Sequence, residues 1–196
     1  MRPEKACVQL FSDRLKTLTS KTENRTRPKG GDEMTEIEFF VPGKPQGKAR
    51  ARTVRMPNGF TRSFTPDKTV LYENLIKSCF IEAEAKQNGI FPLEAGTPVD
   101  MLITAYFKPP VSQSLKKQRM MLLNEIQPLK KPDMDNIVKV VADALNGLAY
   151  HDDTQICSLG ATKVYSREEG LQVRIREYVP SVTVTAPASD GNMQDM

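Results

Sequence analysis

The chain has few of the residue types on which several classes of protein depend. Its 196 residues include one histidine, three cysteines and no tryptophan. Cys7, Cys79 and Cys157 are far apart and odd in number, which argues against a disulfide framework and against a paired-cysteine zinc motif. This cysteine usage is typical of a reducing, cytoplasmic setting. Because His151 is the only histidine, any bound metal must rely mainly on oxygen ligands.

Long apolar runs and a strong excess of one charge are also missing. No segment has the length and apolar character needed to cross a bilayer, and the first residues lack the charged-then-apolar order of a signal peptide. We therefore expect a soluble, intracellular protein without membrane contact. Lys and Arg total 28 against 24 Asp and Glu, and a net charge of +4 is too small to identify a partner. The distribution of charge along the chain is more informative.

The sequence divides into one domain with two extensions. Residues 1–34 and 180–196 are polar and lack hydrophobic periodicity, which predicts disordered N- and C-terminal extensions. Residues 35–179 are numerous enough to bury an apolar core without disulfides or a structural metal. Met34 directly precedes the first strand-like run, so we hypothesise that translation can begin there. A chain shortened to start at Met34 should then fold, and failure to fold would reject this hypothesis.

The hydrophobic pattern of the central region predicts an α+β fold. We expect a single small domain in which a mixed β-sheet is packed with helices. Strands are predicted at residues 36–41, 99–107, 154–165 and 171–178, and the last two are expected to form a β-hairpin. Helices are predicted at residues 67–87, from Ser112 or Ser114 to residue 123, and from residue 136 onward.

A basic segment follows the first predicted strand. Residues 44–62 contain six basic side chains and no acidic one: Lys44, Lys48, Arg50, Arg52, Arg55 and Arg62. Two glycines in this loop and two phenylalanines near its end suit contact with nucleic-acid phosphates and stacking on bases. A solvated charged loop has the same composition, and the pattern by itself leaves both alternatives open.

The most informative stretch is residues 130–155, KKPDMDNIVKVVADALNGLAYHDDTQ. At 100° per residue, Lys139 and Asp143 fall on the same side of the predicted helix as Asp135, and the apolar residues fall on the opposite arc. An N-cap requires one short polar side chain, so Asp133 and Asp135 together exceed that requirement. Asp152 and Asp153 follow the helix, and a helix–loop–strand return could bring them back towards the same end, which the sequence by itself leaves open.

Converging carboxylates indicate a metal site. Three or four of them repel one another unless a cation lies between them, and hard oxygen ligands favour Mg²⁺ or Mn²⁺. Such a cluster holds one or two ions and supports phosphodiester cleavage. Lys139, one helical turn after Asp135, is placed to meet charge that develops in the transition state. The competing interpretation of Lys139 is an ordinary surface lysine.

The order of these residues is similar to a known family signature. D-x-D alone is weak evidence, but D-x-D-N-x-x-K followed by DALNG and then DD-x-Q-I is far more specific. The stretch resembles the RusA family of Holliday junction resolvases, strongly over residues 131–156 and more loosely over 36–178. The resemblance implies metal binding by Asp133, Asp135 and Asp153 and catalysis by Lys139, with Asp152 as an adjacent acidic partner.

The resemblance also implies partners and a cofactor. It predicts a homodimer that cuts four-way DNA junctions symmetrically with Mg²⁺, for which Mn²⁺ can substitute, in DNA recombination and repair. Members of the family are common in phages and prophages, so a bacterial or phage setting is expected. The basic segment, together with Lys130 and Lys131, is expected to contact the DNA.

Three other interpretations compete with a junction resolvase. A PD-(D/E)-x-K nuclease fits poorly, because Thr154 and Gln155 follow Asp153 where that motif has a lysine. A D-x-D glycosyltransferase requires a larger nucleotide-binding fold than about 145 residues allow. A non-catalytic module that binds branched DNA, with a structural acidic cluster, is the alternative that experiments must separate from a nuclease.

Overall fold

The computed structural model describes residues 35–56, 59–86 and 91–180, so the two predicted extensions lie almost entirely outside the described residues. Within these ranges the order of elements is β1 (Glu36–Pro42), β2 (Arg52–Arg55), β3 (Thr61–Phe64), α1 (Asp67–Lys86), β4 (Val99–Phe107), α2 (Leu115–Leu122), α3 (Met134–Leu145), a 3₁₀ turn (Asp153–Gln155), β5 (Ile156–Tyr165) and β6 (Gly170–Glu177).

The main sheet has four strands in the order β1-β6-β4-β5. Strand β6 is antiparallel to both β1 and β4, whereas β4 and β5 are parallel. A parallel pair needs a crossover connection, and helices α2 and α3 supply it. The expected α+β domain with a mixed sheet is therefore confirmed.

The predicted hairpin between the last two strands is wrong. Strands β5 and β6 do not pair with each other, because β4 lies between them. The backbone amide of Ser166 donates to the carbonyl of Phe107 at 2.8 Å, so the connection turns over the end of β4. Residues 166–169 span two strand spacings, about 10 Å, which four residues can cover. Proximity in sequence suggested that β5 and β6 pair with each other, but β6 pairs with β1 along one edge and with β4 along the other.

Helices α1 and α3 cover one face of this sheet. Alternate residues of β1, β4 and β6, such as Phe39, Ile103 and Val173, point into the core beneath them. On α1, Phe80 packs edge-on against Phe39 with ring centroids 5.7 Å apart. The buried side of α3 is the predicted apolar arc: Ile137, Val140, Val141, Ala144 and Leu145 are fully buried. This arc fixes which side of α3 faces solvent.

Local boundaries agree closely with the sequence pattern. Strand β4 has the predicted limits, and α2 begins after Ser114, whose hydroxyl accepts from the amide of Lys117. Helix α3 begins at Met134, two residues earlier than expected. Among the described residues, no helix is both long enough and apolar enough to span a lipid bilayer.

Part of the basic segment, expected to be an irregular loop, forms a separate ribbon. Strands β2 and β3 pair antiparallel, with Arg52 opposite Phe64 and Arg55 opposite Thr61. This pair is not hydrogen-bonded to the main sheet. The Asn58-Gly59 dipeptide between the two strands is a strong sequence signal for a hairpin turn, and sequence reasoning overlooked it.

Candidate active site

The N-terminus of α3 presents two carboxylates to solvent. Asp133 occupies the N-cap position with an extended backbone, but its side chain makes no capping hydrogen bond. Asp135 lies in the first turn, where the helix dipole favours negative charge, and accepts a 3.3 Å hydrogen bond from Asn136. Both aspartates are exposed. Neither carboxylate is therefore committed to holding the helix end, which leaves both available to a ligand.

A lysine on β5 fixes the segment that leads into this helix. The Lys163 ammonium donates to the carbonyls of Lys130 and Pro132 at 3.0 and 3.1 Å. These two bonds attach the residues before Asp133 to the sheet. The side chains of Lys130 and Lys131 remain exposed beside the two aspartates, which agrees with their predicted role in DNA contact without testing it.

The second acidic pair lies in the 3₁₀ turn before β5. The Asp152 carboxylate accepts from the amide of Thr154 at 3.0 Å and caps this turn. Hydrogen bonds from the side chain and then the backbone of Thr154 hold the pKa of Asp152 below its usual value. Asp153 follows directly and is exposed. Asp152 thus has a structural role in addition to any catalytic one.

Gln155 holds the acidic turn through both the oxygen and the nitrogen of its side-chain amide. Its side-chain oxygen accepts from the amides of His151 at 2.8 Å and Asp152 at 3.2 Å. Its side-chain nitrogen donates to the carbonyls of Glu94 and Thr97, both at 2.9 Å. Two of these hydrogen bonds lie within the turn, and the other two tie it to a loop about 60 residues earlier in the chain. In the sequence, Gln155 stood out only as part of the Asp-Asp-x-Gln motif, and no role was predicted for it.

Within one chain the two acidic pairs lie at opposite ends of α3. Lys163, which binds the segment before Asp133, lies seven positions beyond Ile156, or about 23 Å along β5. Helix α3 itself has 12 residues, a length of about 18 Å. Among the residues that the structure describes, no group of three or more Asp, Glu, His or Cys side chains could hold a metal ion.

A buried tyrosine, Tyr150, lies in the chain between the end of α3 and Asp153. Tyr150 is fully buried, and its hydroxyl donates to the carbonyl of Ala142 at 2.9 Å. Burial raises the pKa of Tyr150, and the negative charges of Asp153 and then Asp143 raise it further. Asp143 and Asp153 therefore act on the same buried hydroxyl. Asp153 therefore lies near the C-terminal half of α3, whereas Asp133 and Asp135 lie at its start.

Lys139 lies on the solvent side of α3, as the helical pattern predicted. It is exposed and follows Asp135 by one turn, and Asp143 continues the same stripe by another turn. The structure thus supports the predicted neighbourhood of Lys139 and Asp135. Its proposed catalytic role stays a prediction.

Lys48 differs from the other basic residues of its segment. Its ammonium lies 2.5 Å from the carboxylate of Glu73 on α1 and 2.9 Å from that of Asp143 on α3. Partial burial lowers the pKa of Lys48, but the hydrogen bonds to Asp143 and Glu73 outweigh it and raise the pKa overall. Glu73 gave no signal in the sequence, because an acidic residue on a helix is usually solvated.

Four other basic side chains of this segment lie at the surface. Lys44, Arg50, Arg55 and Arg62 are exposed, and Phe60, just before β3, is 73% exposed. The backbone of Arg52 is in β2. A basic ribbon with an exposed aromatic ring suits contact with phosphates and bases, so the predicted DNA-binding role stays compatible with the structure.

Comparison with known proteins identifies the family. The family model described as endodeoxyribonuclease RusA matches residues 42–176. The chain belongs to this family of endodeoxyribonucleases, which confirms the resemblance seen in the sequence. It is also 36% identical over 144 residues to YqaN, an uncharacterized protein of Bacillus subtilis (strain 168), and the match covers 72% of this chain and 96% of that relative.

Proposed function

We propose that this protein resolves four-way DNA junctions by paired, symmetric phosphodiester cleavage that depends on Mg²⁺, with Mn²⁺ as a substitute. The observation that carries the proposal is the pair of uncommitted carboxylates, Asp133 and Asp135, at the start of a helix whose apolar side is buried, in a RusA-family chain. The proposed setting is recombination and repair of DNA in the cytoplasm of a bacterium, on host or phage DNA.

The proposed metal ligands are Asp133, Asp135 and Asp153. The carboxylate pair at the start of α3 has the hard oxygen donors that Mg²⁺ prefers. A bound ion would supply an activated water and stabilise charge on the leaving oxygen. Lys139 would donate to the phosphate oxygens as negative charge increases, and Asp152 would hold the turn that positions Asp153.

We further propose that the active unit is a homodimer in which each site draws on both chains. Because α3 separates Asp153 from Asp133 and Asp135 within one chain, the third ligand is proposed to be Asp153 of the partner subunit. A twofold axis that sets two such helices side by side in opposite directions would complete two equivalent sites. Two equivalent sites suit symmetric cuts in two opposed strands.

The proposed DNA contacts come from two segments of the chain. They are Lys44, Arg50, Arg52, Arg55 and Arg62 in the basic segment, and Lys130 and Lys131 before α3. Each exposed cation that neutralises a phosphate contributes to affinity in a salt-dependent way. Lys48 was predicted to belong to this set, but its ion pairs with Glu73 and Asp143 favour a different role.

Replacement of Asp135 by Asn separates a nuclease from a module that only binds branched DNA. This change removes one negative charge while keeping the size of the side chain. The variant is expected to bind a four-way junction at least as well as the unmodified protein and to cut it at least about 100-fold more slowly. Metal-dependent cleavage at the unmodified rate would reject the assignment of this site.

A further inference from the structure

The basic segment begins with a stretch that is docked on α3. The backbone amide of Lys48 donates to the carbonyl of Asn136 at 2.8 Å. At the preceding residue, a Cβ built on Gly47 would lie 2.8 Å from the Cβ of Asn136 and 3.1 Å from that of Pro132. Only glycine allows this approach without displacing the neighbours. The loop backbone therefore rests directly on the first turn of the helix that starts with the proposed metal ligands.

The Lys48 side chain extends the same contact to the far end of the helix. Its ammonium lies between Glu73 and Asp143, and the three side chains retain only 22%, 16% and 30% of their exposure. Asn136 and Asp143 are seven residues, or two turns, apart on α3. The backbone and side chain of one residue thus hold two turns of α3 and connect them to α1.

This contact lies next to the functional side of the helix. Asp135, Lys139 and Asp143 form one stripe along α3, because they are four residues apart. The opposite arc is packed in the core, which prevents the helix from tilting away from the sheet. Lys48 holds the C-terminal, partly buried end of the stripe at Asp143, and Arg50, two residues further along the chain, is exposed.

We propose that Lys48 is a positioning residue that couples the DNA-contacting segment to the catalytic helix, and this inference rests on the proposed nuclease function. Lys48 acts through Asp143 and Glu73 and through its amide, without touching DNA. A loop that moves with bound DNA would then set the orientation of Asp135 and Lys139. The experiment must distinguish this positioning role from direct contact of Lys48 with a DNA phosphate.

The test compares Lys48→Met and Lys48→Arg with the unmodified protein on a four-way junction. Lys48→Met is expected to lower kcat on the order of 10- to 100-fold, because small displacements of reacting groups are costly, and to change junction Kd by less than about twofold. Lys48→Arg, which keeps the charge, should restore part of kcat. A weaker Kd, a salt slope reduced by about 0.9 and an unchanged kcat would assign Lys48 to a phosphate and overturn the proposal.

A double-variant comparison tests whether Lys48 acts through Asp143. If it does, Lys48→Met combined with Asp143→Asn should lower kcat no more than the stronger single change, because both remove the same interaction. Independent, multiplicative losses would overturn the proposal. Lys86→Met is the matched control, since Lys86 pairs with Glu82 on α1 at 3.0 Å but both side chains are more than 70% exposed. It should leave kcat and Kd unchanged.

Hydrogen exchange provides a readout that does not need cleavage. The amide of residue 48 is hydrogen-bonded to Asn136 and should lose protection in Lys48→Met but keep it in Lys86→Met. Unchanged protection in Lys48→Met would overturn the proposal even if the protein cuts no junction. If the unmodified protein is inactive on junctions while protection is lost in Lys48→Met, the proposed function fails and the docking role of Lys48 survives.

Discussion

Replacing Gln155 by Glu tests how the acidic turn is held, because it exchanges one atom group and nothing else. The side-chain oxygen that accepts from His151 and Asp152 is kept. The nitrogen that donates to Glu94 and Thr97 becomes an oxygen, so two hydrogen bonds of 2.9 Å are lost and a negative charge faces two carbonyl groups. The substitution therefore removes both bonds that connect the turn to the loop and keeps the two acceptor contacts within the turn.

The size of the effect follows from the number of bonds removed. Each neutral hydrogen bond contributes about 0.5–1.5 kcal/mol, so the loss of two amounts to roughly 1–3 kcal/mol, and repulsion between the carboxylate and the carbonyls adds to it. Gln127→Glu is a matched control. Gln127 also donates from one side-chain nitrogen to two oxygens, both of Asn124 and both at 2.9 Å, but on the exposed surface. We expect a change of about 0.5 kcal/mol or less there.

The deficit of Gln155→Glu should depend on pH. Two amides still donate to the introduced carboxyl and favour its charged form. We expect the carbonyls of Glu94 and Thr97 and the adjacent Asp152 and Asp153 carboxylates to oppose that form more strongly, so that its pKa in the folded state is raised above its unfolded value of about 4.3. The folded state then binds the proton more tightly, and stability relative to the unmodified protein falls as pH rises from the lower pKa to the higher one. Below about pH 4.3, a protonated carboxyl donates to one carbonyl and the deficit should shrink.

Urea unfolding of both variants at neutral and acidic pH measures this directly. Under conditions where Gln155→Glu is fully folded, junction cleavage should still be slower, because Asp153 is no longer held in place. Equal unfolding free energies for Gln155→Glu and Gln127→Glu would refute the structural account of Gln155. A deficit that does not change with pH would refute the proposed repulsion.

Further predictions concern the helix, the basic segment and the dimer. Lys139→Ala should slow cleavage about 100-fold with little change in junction affinity, and a large loss of affinity would instead make Lys139 a binding residue. Arg50→Ala combined with Arg52→Ala should weaken junction binding and reduce its salt slope by up to about 2, whereas an unchanged slope would place both side chains away from DNA. Mixing inactive Asp135→Asn and Asp153→Asn proteins should restore nicking if sites are shared between chains, because one site of each mixed dimer is intact. No recovery after verified subunit exchange would locate all three ligands in one chain.

Features with a short sequence period could be predicted. The buried arc of α3 was visible because Ile137, Val140, Val141, Ala144 and Leu145 repeat with the helical period. Strand β4 was equally clear, since a run of β-forming residues ends at two prolines. Asp133 was predicted to be more than a cap because Asp135 follows it; its carboxylate makes no capping bond, and its role as a metal ligand stays a prediction.

Contacts between distant parts of the chain could not be predicted. Lys48 and Glu73 are 25 residues apart, and Gln155 and Glu94 are 61 apart, so no local pattern relates them. The same reason explains the wrong hairpin: alternation identified β5 and β6 as strands but contains no information about which neighbour each one has. Helical periodicity placed Asp135 and Lys139 on one side of α3, but it did not show which end of the helix the turn with Asp152 and Asp153 approaches.

The most direct test of the account is cleavage of a mobile four-way junction compared with a linear duplex of the same sequence, in Mg²⁺ or in EDTA. The account predicts paired nicks in opposed strands of the junction in Mg²⁺, little or no cleavage of the duplex, and none in EDTA. Cleavage that persists in EDTA, or equal cleavage of junction and duplex, would contradict it. So would junction binding in Mg²⁺ without any cleavage, which would favour a module that only binds branched DNA.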